Sequence, residues 1–101
     1  MIVAVFRARL REEARDDYSV WAKRMSAIAK SMPGYISHKL FVAEDGERVT
    51  IVEFESEEQL KAWSIHPEHI EAKKKGRTDF YLEYSSQLCQ VLRSSEFKRP
   101  A

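Results

Sequence analysis

Cysteine is nearly absent from this 101-residue chain, and its single occurrence, Cys89, excludes an intramolecular disulfide. Chains without disulfides are typical of reducing compartments, so we expect a cytoplasmic protein. The apolar start of the chain is interrupted by Arg7, Arg9 and Arg11, which is unlike the apolar segment of a signal peptide. Hydrophobic runs of membrane-spanning length are also missing, which predicts no association with a membrane.

An excess of charge of either sign is missing too. The chain has 17 Lys and Arg residues against 16 Asp and Glu residues, for a net charge of +1. Nucleic-acid-binding domains usually carry a strongly basic surface, so we expect no nucleic-acid partner. The one basic run, Lys73-Lys74-Lys75, lies where a helix is predicted to end, and there cations complement the helix dipole.

Glycine and histidine are scarce, with three residues of each. No Gly-rich phosphate loop, dinucleotide fingerprint or nucleophile elbow is present. His66 and His69 flank Pro67 without a third ligand in view, whereas zinc sites usually need three or four protein ligands. The sequence therefore predicts neither a metal site nor a nucleotide cofactor.

Alternating and helical periodicities divide the chain into strands and helices. The first segment alternates, the second places an apolar residue every three or four positions from Ala14 to Met32, and the later segments alternate again around a capped helical region. We predict strands at 2–10, 35–43, 47–55 and 79–93, and helices at 12–32, at about 57–63 and from Pro67 to Gly76. The order β-α-β-β-α-β predicts an α+β, ferredoxin-like fold with an antiparallel sheet and helices on one face. Residues 1–93 form the domain and residues 94–101 a polar tail.

Local signals set the connections. Asp45-Gly46 predicts a type I′ hairpin turn, Ser56 predicts a helix cap supported by Gln59, and Gly76 predicts the end of the second helical region. On the last strand, alternation places Tyr84 toward the helices and Tyr81 on the opposite face. That opposite face of the sheet also carries apolar side chains such as Val3 and Val5, so we expect a second copy of the chain to cover it in a homodimer.

One stretch concentrates chemically versatile side chains: Trp63, His66-Pro67-Glu68-His69, Gly76-Arg77 and the aromatic strand from Phe80 to Tyr84. Met32-Pro33-Gly34-Tyr35 precedes the second strand, and Phe54-Glu55-Ser56-Glu57-Glu58 precedes the second helix. In this order and spacing, the chain resembles the antibiotic biosynthesis monooxygenase domain family, a branch of the dimeric α+β barrel proteins. The resemblance runs from residue 1 to about residue 93.

The resemblance implies a homodimer in which two sheets form a barrel and each subunit has a pocket between its sheet and helices. Some members oxidise quinols and anthrones without metal or flavin, and others degrade haem. The haem-degrading members use an Asn on the first strand, a Trp, and a His about ten residues after that Trp. Here Trp63 fits, but Phe6 and Lys73 stand at the other two positions, so we expect no haem and no other cofactor.

Six residues are candidates for the site. His66 or His69 is the candidate base, because a neutral imidazole near a helix N-terminus can accept a phenolic proton. Trp63 is the candidate wall that stacks on a planar ligand, and Tyr84 is its hydrogen-bonding partner. His38 and Phe6 complete the substrate-contacting set. Structural roles stay open for each: a helix cap for one His, a core histidine for His38, and core packing for the aromatic residues.

Two functions follow from these candidates. The first is a cofactor-independent monooxygenase that acts on a small phenol- or quinol-type aromatic. The second is a non-catalytic dimer of the same fold that binds a small hydrophobic ligand or serves a structural role. An open cavity with a His side chain facing it favours the enzyme, a cavity without that side chain favours the binder, and a filled core favours the structural role.

Overall fold

The computed structural model describes residues 1–100, and the last residue of the predicted tail lies outside the described part. Four strands and three α-helices follow one another in the predicted order. They are β1 (Ile2–Leu10), α1 (Arg15–Ser31), β2 (Tyr35–Val42), β3 (Arg48–Phe54), α2 (Glu57–Ser64), α3 (Pro67–Lys75) and β4 (Tyr81–Gln90). A 3-10 turn, Glu12–Ala14, precedes α1, and a π-helical turn, Gly76–Phe80, joins α3 to β4. No helix within the described residues is long and apolar enough to cross a membrane.

All neighbouring strands pair antiparallel in the order β2-β3-β1-β4, which confirms the α+β, ferredoxin-like prediction. The register places Ala4 opposite Val52 and Leu88, and Phe6 opposite Thr50 and Ser86, so these side chains share the helix-facing side of the sheet. Val3 and Val5 lie on the other side and are only partly buried. The sheet therefore has one apolar face under the helices and one mixed face.

The core lies between β3, α1 and α2. Phe54 and Ala29 are fully buried, and Val52, Leu60 and Trp63 pack with them. Ile28 and Met32, from the predicted apolar stripe of the first helix, pack against the same cluster. The helical stripe predicted from spacing is thus the face of α1 that contacts the sheet.

Two predicted connections differ in detail. Gly46 has φ +92°, but within residues 1–100 no residue other than Gly has a positive φ, so Asp45 is not in the conformation that a type I′ turn requires. The Gly46 N–H donates to the Ala43 carbonyl at 2.9 Å, and the Ala43 N–H donates to the Glu47 carbonyl at 2.8 Å. These bonds describe a three-residue loop that ends in a left-handed glycine. At the start of α2, the Gln59 N–H donates to Ser56 Oγ at 3.2 Å, which confirms the predicted cap.

The segment before β4 departs most from the prediction. Gly76 is the C-cap of α3, as predicted, but its φ of −57° is right-handed; the chain continues into the π-helical turn, and β4 begins only at Tyr81. The β1–β4 register also shifts between Arg9 and Leu10, where Leu10 pairs with Tyr81. This irregularity turns Tyr81 to the helix-facing side together with Tyr84, so the predicted placement of Tyr81 on the opposite face is wrong.

Candidate functional site

A cavity of about 560 Å³ lies between the helix-facing side of the sheet and the three helices. This is within the range of roughly 300–1,000 Å³ that is usual for small-ligand sites. Its wall is mostly apolar and aromatic, and it includes five of the six predicted site residues. These are Phe6, His38, Trp63, His69 and Tyr84.

Trp63 links the cavity to the core. Its side chain is 7% exposed, and its ring stacks on Phe54 with 5.9 Å between centroids. The indole Nε1–H is buried and has no hydrogen-bond partner among residues 1–100. A buried donor without an acceptor typically costs about 1–3 kcal/mol. Because this atom is buried, it is the indole ring rather than the N–H that is available to the cavity.

His69 lies against Trp63, with ring centroids 4.3 Å apart. Its Nδ1–H donates to the Trp63 carbonyl at 3.2 Å; because a carbonyl only accepts, Nδ1 carries the proton of the neutral ring and Nε2 is an acceptor. Burial, followed by the positive charge of Lys73, lowers the pKa of the His69 imidazole from 6.5 to about 4, against the raising effect of the hydrogen bond to Trp63. His69 is therefore neutral at pH 7 and offers a lone pair.

His66 has a different place. It is the N-cap of α3, where its Nδ1 accepts from the Glu68 N–H at 3.2 Å, and Pro67 follows as the first helical residue. The ring is not part of the cavity wall. The cap role that the sequence left open is thus the one that the geometry supplies, and of the two candidate bases only His69 faces the cavity.

His38 stands on β2 across from Trp63, edge-on to the indole with 6.2 Å between centroids. Burial and the nearby Lys30 lower the pKa of its imidazole. It lines the cavity with Leu40, which shares its face of the strand. His38 is therefore a second neutral imidazole at the Trp63 end of the cavity.

Aromatic rings form the other end. Phe6 stacks on Tyr84 at 5.4 Å and meets Tyr81 edge-on at 5.5 Å. Tyr81 also contacts Tyr18 at 6.0 Å, and burial raises the pKa of the Tyr81 phenol, so this hydroxyl stays protonated. Tyr84 accepts a hydrogen bond from Arg77 Nη1 at 3.4 Å. A planar ligand would meet ring surfaces on this wall as well as at Trp63.

Sequence reasoning missed several wall residues. Tyr18 and Trp21 belong to the apolar stripe of α1, which the sequence predicts only as a packing surface. Both side chains also line the cavity. Lys73 and Arg77 line it as well, four and eight residues after His69. That spacing on one helical face is the signal that could have identified them.

A metal site is not part of this arrangement. Within residues 1–100 no group of three or more His, Cys, Asp or Glu side chains is placed to hold a metal ion. The wall instead carries groups that bind, orient or exchange a proton with an organic molecule, among them two neutral imidazoles, phenolic hydroxyls and the side chains of Lys73 and Arg77.

Comparison with known proteins agrees with this architecture. An uncharacterised protein of Bacillus subtilis, YqjZ, is 30% identical over 95 residues, covering 94% of this chain and 83% of its own. The structure of Rv0793 from Mycobacterium tuberculosis superposes with a TM-score of 0.83 at 17% identity, covering 94% of this chain and 98% of that one. SnoaB of Streptomyces nogalater, a cofactor-independent oxygenase, superposes with a TM-score of 0.77 at 16% identity, covering 92% and 94%.

A family model gives the assignment directly. Residues 1–75 match the antibiotic biosynthesis monooxygenase model, and they include β1, the hairpin, the core and both residues of the Trp63–His69 pair. The resemblance inferred from the sequence motifs is confirmed, and this chain belongs to the antibiotic biosynthesis monooxygenase family.

Proposed function

We propose that this protein is a cofactor-independent monooxygenase that acts on a small phenol- or quinol-type aromatic in the cavity between sheet and helices. One observation carries the proposal: the neutral ring of His69 lies against the Trp63 ring on the mostly apolar and aromatic wall of the cavity. A phenolic ligand has a ring that can pack on this aromatic wall and a proton that can pass to the imidazole. The likeness to SnoaB supports the same class of activity.

In the proposed reaction, Nε2 of His69 accepts the phenolic proton, and the resulting anion transfers one electron to O2. The phenoxyl radical, whose unpaired electron is delocalised onto the para carbon, combines there with superoxide, which forms a C–O bond. The proton held by His69 then passes to the terminal peroxide oxygen. Loss of the para C–H proton with cleavage of the O–O bond gives a quinone and water. The substrate supplies all the electrons, while the protein contributes proton transfer, orientation and a cavity that excludes bulk water.

The basicity of His69 sets a condition on the substrate. A simple phenol has a pKa of about 10, so proton transfer to an imidazole of pKa about 4 is uphill by about 8 kcal/mol. A turnover of about 10 per second corresponds to a total barrier of about 16 kcal/mol, which leaves about half for the reaction with oxygen. Acidic phenols, naphthols and quinols that form stabilised anions are therefore the better substrates.

The same low pKa favours the second candidate, a non-catalytic protein that binds a small aromatic ligand. A weakly basic imidazole can accept a hydrogen bond from a ligand hydroxyl without taking its proton. In that case the Trp63–His69 pair provides recognition alone. The two functions share the cavity and differ in whether the bound molecule consumes oxygen.

The mixed face of the sheet supports a homodimer as the functional unit. Val3 and Val5 on β1 and Ile51 on β3 are only partly buried there, and Phe41 on β2 is 46% exposed. A solvated sheet face is normally polar, so a second copy of the chain is the occupant that we propose for this surface.

The test uses anthrone and 1-naphthol, both of which give a quinone and water when one oxygen atom is inserted. Oxygen uptake above the uncatalysed rate is measured with an electrode, and incorporation of one atom from 18O2 is measured by mass spectrometry. The critical variant is His69→Asn, whose amide can still donate to the Trp63 carbonyl but cannot act as a base. The matched control is His66→Asn, which keeps a good N-cap residue outside the cavity.

We expect the wild type to oxidise at least one of the two compounds and His69→Asn to lose about 10²–10⁴-fold in rate. His66→Asn should retain wild-type turnover. Undiminished turnover in His69→Asn would remove His69 as the base. Stoichiometric binding of either compound without oxygen uptake would favour the non-catalytic binder.

A further inference from the structure

The cavity-facing side of α3 continues beyond His69. Lys73 and Arg77 follow at intervals of four residues and line the same cavity, the latter from the π-helical turn after α3. We call these three residues the α3 stripe. Short π-helical segments are often found at functional sites, and here one places a guanidinium at the cavity wall.

The charges on this wall all have one sign. Among the described residues that line the cavity, Lys73 and Arg77 are the only charged ones, and none is a carboxylate. Lys73 Nζ donates to the carbonyl and hydroxyl of Ser64 at 2.9 and 2.6 Å, and Arg77 donates to Tyr84. Neither cation forms an ion pair within residues 1–100.

Two acidic residues of this segment, Glu68 and Asp79, pair with other cations, and Glu71 on α3 is exposed and does not line the cavity. Glu68 binds Arg24 at 2.5 Å, and Lys75 binds both Asp17 and Asp79 at 3.3 Å. None of these paired residues lines the cavity. The positive potential that Lys73 and Arg77 create at the wall therefore has no carboxylate partner within residues 1–100.

The effect of that potential is visible at His69. After burial, the charge of Lys73 is the next cause that lowers the pKa of the imidazole. A potential that disfavours a cation at this position favours an anion by the same electrostatic interaction. It would also stabilise the phenolate that the proposed reaction forms.

We propose that the cavity takes an aromatic acid, a planar ring with a carboxylate that Lys73 and Arg77 bind while the ring lies against Trp63. This inference rests on the function proposed for the site and narrows its substrate class from phenols in general to anionic aromatics. A guanidinium can bind a carboxylate through two parallel hydrogen bonds, and an ammonium supplies a compact charge beside it. The apolar remainder of the wall accommodates the ring.

A pair of ligands that differ only in charge tests the inference. The acid 5-hydroxy-2-naphthoate, whose carboxylate cannot hydrogen-bond its own hydroxyl, is an anion at pH 7.5, and its methyl ester is neutral. Their affinities are measured by titration calorimetry under nitrogen in 50 mM salt, so that neither oxidation nor strong screening affects the result. The variants are Lys73→Gln, Arg77→Gln and the double substitution. Lys74→Gln, which removes one charge from α3 outside the cavity wall, is the control.

We expect the wild type to bind the acid at least tenfold more tightly than the ester. Each single substitution should reduce this ratio about threefold or more, and the double substitution should bring it close to one, with Lys74→Gln unchanged. Melting temperatures are measured as well, because Lys73 also contacts Ser64 at the end of α2. A lower melting temperature of Lys73→Gln with an unchanged acid-to-ester affinity ratio would show that Lys73 is purely structural and would contradict the inference. A wild-type ratio near one, no binding of the acid, or a ratio that survives the double substitution overturns the inference.

Oxygen uptake with the same two ligands separates this inference from the proposed function. Preference for the acid without oxygen uptake supports the aromatic-acid site and contradicts the oxygenase. Oxidation of both compounds with equal affinity supports the oxygenase and contradicts the aromatic-acid site.

Discussion

The neutral state of His69 makes stability depend on pH in a predictable way. In the unfolded chain the imidazole binds a proton below pH 6.5, whereas in the folded protein it does so only below about pH 4. Between these values the unfolded state holds more protons, so the free energy of unfolding falls as the pH falls. A difference of about 2.5 in pKa corresponds to about 3 kcal/mol, of which about 2 kcal/mol is already lost at pH 5.

The substitution His69→Asn isolates this contribution. Other groups, including His38 and the carboxylates of Asp45 and Glu13, also have pKa values that differ from their usual ones, but they titrate in both proteins and cancel in the difference. The charged and titratable groups that act on His69, namely Lys73, His66 and His38, are also retained. Between pH 8 and pH 5, the free energy of unfolding of the wild type should therefore fall by about 2 kcal/mol more than that of His69→Asn.

Urea unfolding at intervals between pH 5 and pH 8 measures this difference, and NMR titration of the His69 ring gives its pKa directly. A pH-independent difference between wild type and His69→Asn, or a His69 titration midpoint near 6.5, would refute the placement of a desolvated imidazole beside Trp63.

Two further predictions test packing and assembly. A Cβ at Gly76 would lie 2.7 Å from Cε2 of the Tyr81 ring. Gly76→Ala should therefore lower the free energy of unfolding by about 0.5–2 kcal/mol in thermal unfolding, although Ala is the better helix former. A more stable variant would show that the Tyr81 ring is free to move. If the mixed sheet face binds a second copy, light scattering should give twice the 11.8 kDa chain mass for the wild type and the single-chain mass for a folded Val5→Lys variant; a wild-type monomer at micromolar concentration would contradict the homodimer.

Periodicity predicted most of the fold because each strand and helix has one apolar face. The alternation of β1 placed Phe6 under the helices, and that of β2 placed His38 there; both positions agree with the cavity wall. Helical spacing placed Trp63 on the apolar side of α2, and alternation placed Tyr84 on the helix-facing side of β4. Periodicity thus located the side chains correctly in stretches of strand and helix that run without interruption.

Tyr81 shows where such reasoning ends. Its face is set by the register shift between β1 and β4, and a bulge belongs to the pairing of two strands rather than to either sequence alone. The π-helical turn before it has the same character. Its glycine caps α3 in a right-handed conformation and leaves room for the Tyr81 ring, a tertiary requirement that the sequence alone does not reveal.

The two histidines illustrate a different limit. Pro67 at the first helical position fixes His66 as the N-cap, and a ring that accepts a backbone N–H at a cap is already occupied. Local sequence was therefore sufficient to favour His69, three residues later and inside the first turn. What it could not supply is the burial that keeps His69 neutral, since that depends on Trp63 from α2 and on the packing of α3 over the sheet.

Lys73 and Arg77 depend on tertiary context most of all. In sequence, each has an ordinary explanation: a cation near a helix C-terminus, and a surface arginine after a glycine. Their meaning in the fold comes from the absence of any carboxylate on the cavity wall, while Glu68 and Asp79 on the same segment pair with other cations. The proposed anion site therefore depends on which carboxylates pair with which cations around α3. The sequence does not give these pairings, so it cannot show that Lys73 and Arg77 are left without an ion-pair partner.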